Sequence, residues 1–142
     1  MGRILAIDYG KKRTGLAVTD VLQIIANGLI TVPTHELLEY LSKYLQSETV
    51  ERILVGYPRQ LNNQDSENMK RVEQFVKKLK GVFPEMPIEY VDERFTSVLA
   101  HKAMIEGGLK KKDRQKKELV DEISATIILQ SYLEARNYKL NR

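Results

Sequence analysis

Apolar residues in this chain follow two kinds of pattern. Some stand in short, nearly continuous runs bounded by glycine, proline or charge, which predict buried strands. Others recur every three or four positions over longer stretches, which predicts amphipathic helices. Ile4–Asp8 and Gly15–Thr19 are the first two runs, joined by Gly10-Lys11-Lys12-Arg13. So tight a connection predicts an antiparallel hairpin. Ile24–Val32 predicts a third strand, with a bulge or kink at Asn27-Gly28, because glycine inside a strand often marks one. Pro33 stops it, and Thr34 is the candidate N-cap of a first helix over Thr34–Glu48, whose apolar positions are Leu37, Leu38, Leu41, Tyr44 and Leu45.

Ile53–Gly56 is the next short run, followed by a polar loop over Arg59–Asp65. Asp65 or Ser66 caps a second helix carrying Met69, Val72, Phe75, Val76 and Leu79 at helical spacing. Pro84 and Pro87 bracket a turn, and Ile88–Val91 predicts another strand that runs into Asp92-Glu93-Arg94. A third helix is expected from Thr96 or Ser97 to the Gly107-Gly108 stop. The last helix runs from Glu118 to about Asn137, its apolar positions including Leu119, Val120, Ile123, Ile127 and Tyr132. Strands first, then helices and strands in alternation, predict an α/β domain with a mixed sheet. No repeat, low-complexity stretch or linker interrupts it, so residues 1–142 are read as one domain.

Composition narrows the chemistry. With 42% hydrophobic and 30% charged residues the chain is ordinary for a globular protein. There is no cysteine, and the two histidines, His35 and His101, are far apart, which excludes a thiolate site and disfavours zinc. No apolar run approaches the roughly 20 residues of a membrane span, and no signal peptide is visible, so no membrane partner and a cytoplasmic location are expected. A net charge of +4 points weakly to an anionic partner.

Three acids stand out. Asp8 and Glu93 each close a predicted strand, and open α/β sheets place ligands at that edge. Asp121 lies in the first turn of the last helix, with Ser124 and Ala125 one turn on, small enough to allow close approach to another element. Three carboxylates brought together repel one another unless a hard cation joins them. Carboxylate oxygens suit Mg²⁺ or Mn²⁺, and two such ions about 4 Å apart can serve phosphodiester hydrolysis. The bland readings are a turn cap for Asp8, a surface pair with Arg94 for Glu93, and a dipole-favoured first-turn acid for Asp121. The buried strand before Asp8 favours a site there.

Basic residues add a second theme. Lys11, Lys12 and Arg13 sit beside Asp8, and Lys110–Lys117 holds six Lys or Arg in eight residues, Lys110, Lys111, Lys112, Arg114, Lys116 and Lys117. Such a run is often just a solvated loop. It also suits phosphate contact, and here it leads straight into the helix of Asp121. It contains no aromatic residue, so it offers no base-specific readout.

Taken in order, Ile7-Asp8-Tyr9-Gly10 with Gly15-Leu16-Ala17-Val18, Val55-Gly56-Tyr57-Pro58, Val91-Asp92-Glu93-Arg94-Phe95-Thr96, and Leu119-Val120-Asp121-Glu122 running on to Ile128–Leu133 resemble the YqgF family. It is also called the RuvX or Holliday-junction-resolvase-like family. The pieces cover nearly the whole chain. The resemblance implies a ribonuclease-H-like fold: a mixed five-stranded sheet, its first three strands an antiparallel meander, flanked by helices. It implies an acidic triad of Asp8, Glu93 and Asp121 that is both catalytic and metal-binding, with Mg²⁺ or Mn²⁺. It implies a nuclease linked to maturation of the 5′ end of pre-16S ribosomal RNA, resolvase activity being the older inference from the fold. Structured RNA or branched DNA is then the expected partner, contacted by Lys11, Lys12, Arg13, Arg94 and the basic run, with the protein a monomer or weak homodimer. Arg59–Gln64 departs from the family's usual Leu-Asn-Met-x-Gly-Thr, and Ser97 stands where threonine is usual.

Two other classes share parts of this pattern. The opening Asp-x-Gly hairpin also resembles the phosphate hairpin of actin-like ATPases and sugar kinases, but those need two such lobes around the nucleotide. A non-catalytic RNA-binding module would use the basic residues alone; the intact acids count against it.

Overall fold

The computed structural model describes residues 2–57, 66–92 and 117–140. Among these lie five strands, β1 (Arg3–Asp8), β2 (Arg13–Thr19), β3 (Ala26–Pro33), β4 (Val50–Tyr57) and β5 (Ile88–Asp92), and three helices, α1 (Leu37–Ser47), α2 (Ser66–Val82) and α3 (Lys117–Leu140). The strands form one sheet in the order β3-β2-β1-β4-β5. β1, β2 and β3 make the antiparallel meander, and β4 and β5 run parallel to β1. The mixed sheet expected from the sequence is the one observed.

Side chains alternate across the sheet and build a core on each face. Leu5 and Ile7 of β1, with Leu16, Ile53 and Val55, pack against Leu37 and Leu41 of α1 and Val72, Phe75, Val76 and Leu79 of α2. Ile4 and Ala6 of β1, with Ala17 and Leu54, pack against Ala125, Ile128, Leu129 and Leu133 of α3. β1 is covered on both faces, which is why its sequence reads as an unbroken apolar run. Each buried Leu, Ile, Val or Phe side chain contributes about 1.5–3 kcal/mol by leaving water, and each alanine less. Ala6 and Ala17 are small, so α3 comes close to β1 and β2. Arg52 ties this layer together at its border, donating to Glu89 of β5 and to the Tyr132 hydroxyl of α3, each at 2.7 Å.

Three expectations are corrected. Ile24 and Ile25 are not in β3; they lie in the β2–β3 turn, 66% and 60% exposed. The Asp20 carboxylate takes the N–H groups of Leu22, Ile24 and Ile25 at 3.2, 2.8 and 2.9 Å. Those donors are thereby lost to the ladder, as short polar side chains often arrange. Gln23 sits in this turn with φ 60°. Second, Thr34 caps nothing: it opens a 3-10 turn, Thr34–Glu36, that precedes α1, and its hydroxyl is used elsewhere. Third, Arg13 belongs to β2 rather than to the turn before it. On α3, Ile127 is buried and Tyr132 packs against the core as expected, and Ala125, Ile128, Leu129 and Leu133 extend the buried stripe. A helix packed on a broad sheet buries a wider stripe than sparse periodicity suggests.

The bulge expected at Asn27-Gly28 is present. Leu16 pairs with Ile30 and Ala17 with Gly28, leaving Leu29 as the extra residue. The Arg59–Asp65 loop and the helix expected after Thr96 lie outside the described residues. No helix among the described residues is long and apolar enough to cross a membrane.

Candidate active site

Asp8 ends the central strand and is half-buried. Ile4 and Ala6 face α3, so by alternation Asp8 is on the α3 face as well. Two neighbouring strands present no side chain beside it. On β2 its partner is Gly15. On β4 the register Ile7↔Val55 brings Gly56 level with Asp8. Both glycines are buried. The carboxylate therefore has no neighbouring side chain on either adjacent strand, each about 4.8 Å away. Next along the edge, Gly56 pairs with Val91 of β5, which packs toward α3, and Tyr57 pairs with Asp92. Position 93 follows directly, so the backbone brings the chain leading into Glu93 to the same sheet edge as Asp8.

Glu93 and Arg94 themselves lie outside the described residues, as do Lys110, Lys111, Lys112, Arg114 and Lys116. Asp121 and Lys117 are in the first turns of α3, but their side chains lie outside the described ones. What is described is the helix that carries them: Ser124 and Ala125, one turn beyond Asp121, are 5% and 0% exposed. The small residues read from the sequence do mark a close approach, with α3 laid across β1, β2 and β3.

The turn after Asp8 is held by a ring of hydrogen bonds. The Gly10 N–H reaches the Thr14 hydroxyl at 3.4 Å, the hydroxyls of Thr14 and Thr34 are 2.9 Å apart, and the Thr34 hydroxyl donates to the Gly10 carbonyl at 2.7 Å. Thr34 has one proton and gives it to Gly10, so Thr14 is the donor between the two hydroxyls. The Thr34 N–H also bonds the Lys12 carbonyl at 2.9 Å. Gly10 admits no side chain: a Cβ there would stand 2.3 Å from the Arg13 carbonyl oxygen. The turn therefore presents Lys11 and Lys12, both exposed, on an anchored backbone. Arg13 is half-buried in β2.

On the opposite sheet face, Tyr9 stacks on Phe75 at 4.6 Å, and Tyr57 meets Tyr90 edge-on at 4.8 Å. The Tyr57 hydroxyl donates to Glu73. Burial pushes the Tyr90 phenol up, and the nearby Glu73 adds to this. Sequence reasoning passed over Thr14, Thr34, Gly15 and Gly56 as site residues. The glycines carried a signal, a small residue in each strand beside the acid strand, but only the register shows that they flank Asp8.

The RuvX family model, described as Holliday junction resolvase, matches residues 2–135. A protein of Phocaeicola vulgatus is 71% identical over 138 residues, covering 97% of this chain and 99% of that protein. One of Bacteroides fragilis is 69% identical over 136 residues, covering 96% and 99%. Both carry the name "Putative pre-16S rRNA nuclease". Among solved structures, Thermus thermophilus RuvC in complex with Holliday junction substrate superposes with a TM-score of 0.57 at 20% identity, covering 96% of each chain. A second Thermus thermophilus RuvC structure gives 0.52 at 16% identity, covering 94% of this chain and 95% of that one. At such identity the likeness shows the fold alone, and that fold is the ribonuclease-H-like one. With this sheet order and a family match over nearly its whole length, the chain belongs to the RuvX family.

Proposed function

We propose that the chain is a metal-dependent nuclease that hydrolyses phosphodiester bonds in the 5′-end maturation of pre-16S ribosomal RNA, in the cytoplasm, as a single domain over residues 1–142. The observation that carries this reading is Asp8, a half-buried acid at the end of the central strand with glycine on both sides. The name borne by relatives at 71% and 69% identity supports the choice of substrate.

The residues fit a hard cation. Carboxylate oxygens at a strand end, between two strands that carry only glycine at that level, are the donor type that Mg²⁺ and Mn²⁺ take, with water completing the shell. Asp8, Glu93 and Asp121 are the residues that would hold Mg²⁺ or Mn²⁺. When bound, such ions supply a water activated for attack and neutralise charge on the phosphate. The protein's own part is positional. Asp8 is fixed by the sheet, and α3, the helix whose first turns carry Asp121, packs on the sheet face that Asp8 shares. Lys11 and Lys12, on their anchored turn, draw in the polyanion. Arg13, Arg94, Lys110, Lys111, Lys112, Arg114, Lys116 and Lys117 complete the proposed phosphate contacts, which set affinity rather than sequence preference.

The second reading is cleavage of four-way DNA, favoured by the description of the matching family model. Symmetric cutting of two strands asks for a dimer, whereas trimming one RNA needs one copy of the site, a monomer or weak homodimer. The test is purified protein with Mn²⁺ on a pre-16S fragment and on a four-way junction, side by side, with the oligomeric state measured by sedimentation. Cleavage of the RNA by a monomer is expected. Cutting of the junction alone, by a dimer, overturns the RNA reading.

A further inference from the structure

Tyr9 follows Asp8 directly but lies on the other face of the sheet. There the β1–β2 turn, the 3-10 turn and α2 enclose a cleft of about 430 Å³. Its floor is apolar, made by Tyr9 and the Phe75 ring stacked on it, with Leu37 and Leu38. Its rim carries three cations, Lys11 from the turn and Arg71 and Lys78 from α2, with the His35 imidazole of the 3-10 turn beside them. None of the described residues that line it is an acid. Glu67 approaches Arg71 at 3.5 Å from one turn earlier, but its side chain is 84% exposed and so competes weakly with another anion.

Arg71, Gln74 and Lys78 stand at i, i+3 and i+7, one stripe along the helix beside the buried stripe of Val72, Phe75, Val76 and Leu79. Glu73 is on the other side, where it accepts the Tyr57 hydroxyl. Seven residues of helix put Arg71 and Lys78 about 10 Å apart, close to three steps of a stacked strand at about 3.4 Å each. Lys11 faces them from the turn that the Thr14–Thr34 ring holds in place.

An aromatic floor under a cationic rim matches a nucleotide: bases stack on aromatic rings while the backbone tracks positive charge. Stacking on an aromatic floor needs an unpaired base, which a single strand offers and a duplex does not. We propose that it binds a single-stranded stretch of RNA next to the cleavage point, with phosphates on Lys11, Arg71 and Lys78 and a base against the Tyr9–Phe75 pair. The strand passes over the end of β1, from the Asp8 face to the Tyr9 face. The substrate class rests on the nuclease reading above; the cleft's geometry does not.

The experiment measures binding in EDTA, without cleavage, of an RNA hairpin with and without a short single-stranded tail, across a salt series. Arg71→Gln/Lys78→Gln is compared with Lys77→Gln/Lys80→Gln, which removes equal charge from the same helix outside the cleft. The first pair should lose the affinity gained from the tail, roughly tenfold at low salt, and its log–log salt slope should fall by about 1.4, two contacts at about 0.7 each. The second pair should keep the tail's contribution. Thermal melts check folding, and Lys11→Gln, on an exposed turn, supplies an independent variant that should lose about 0.7 of slope. Equal losses in both helix pairs, or wild-type binding that ignores the tail, overturn the proposal. Cleavage of the pre-16S fragment is scored separately. Tail binding through the cleft without cleavage sinks the nuclease reading and leaves the cleft, and cleavage with no tail effect does the reverse.

Discussion

The hydroxyl of Thr14 lies 2.9 Å from that of Thr34, and this contact closes a ring through Gly10 that pins the turn after Asp8 to the start of the helical layer. Thr14 is 0% exposed, so its hydroxyl depends on these partners rather than on water. The ring couples two segments 20 residues apart and fixes the backbone that carries Lys11 and Lys12.

Thr34→Val keeps the shape but removes the donor to the Gly10 carbonyl and the acceptor for Thr14. A buried polar group left unpaired costs about 1–3 kcal/mol. The variant should melt several degrees lower, and its RNA affinity should fall because Lys11 and Lys12 lose their fixed position. Thr34→Ser should restore most of both. Equal affinity in the valine and serine variants would remove the ring from the binding argument.

Asp8→Asn should abolish cleavage while the apo protein keeps or gains stability, since the amide is a poor ligand for a hard cation and relieves repulsion among the acids. Gly56→Ala should lower cleavage through a different route, a methyl group placed beside Asp8. Mn²⁺ affinity by calorimetry separates the two: lost in the first, weakened in the second. Full activity of a clean Asp8→Asn preparation would falsify the metal-site reading.

Arg136 of α3 donates to the side chain of Gln23 at 2.6 Å and to its carbonyl at 3.3 Å, while Gln23 donates to the Gly2 carbonyl at 2.8 Å and to Glu51. The β2–β3 turn is thus bolted to the last helix and to the strand edge. Arg136→Ala leaves the 6%-exposed Gln23 short of partners and should destabilise by about 1–3 kcal/mol. Denaturant melts read this directly. RNA cleavage by the remaining folded protein should be unchanged, since this end of the sheet is opposite the site.

The N–H groups of Ile25 and Ile24, with smaller help from those of Asp20 itself and Leu22, hold the Asp20 carboxyl below its ordinary value. A pKa lowered by folding stabilises the folded state above the unfolded value, roughly pH 3.9, and that gain is lost as pH falls through the folded value. The melting-temperature difference between wild type and Asp20→Asn should therefore be largest near neutrality and shrink in acid. The effect is small because the group is solvent-facing. A gap that widened as pH fell would contradict it.

Changing Lys110, Lys111, Lys112, Arg114, Lys116 and Lys117 to Gln should weaken nucleic-acid binding and flatten its salt dependence by about 0.7–0.9 per lost contact. Single-turnover cleavage at saturation should change much less. Lost turnover with an unchanged slope would make the run a lid rather than a phosphate contact.

Local pattern decided much of this protein. Apolar runs placed every strand of the sheet, the 3.6-residue period placed α1, α2 and α3, and Asp8 was marked by being charged at the end of a run otherwise buried on both faces. Ser124 and Ala125 announced the close approach of the last helix. These features are legible because burial imposes its period on neighbouring residues. What joins segments distant in the chain was not. Ile24 and Ile25 look like strand, but the Asp20 carboxylate captures their amides. Thr34 looks like a cap, yet its proton goes to Gly10. Gly15 and Gly56 come to flank Asp8 only through strand register, and Arg71 and Lys78 form one rim with Lys11 only because α2 packs beside the β1–β2 turn. Register, hydrogen-bond partner choice and the facing of one element on another depend on distances that no local period encodes, so the tertiary structure alone set them.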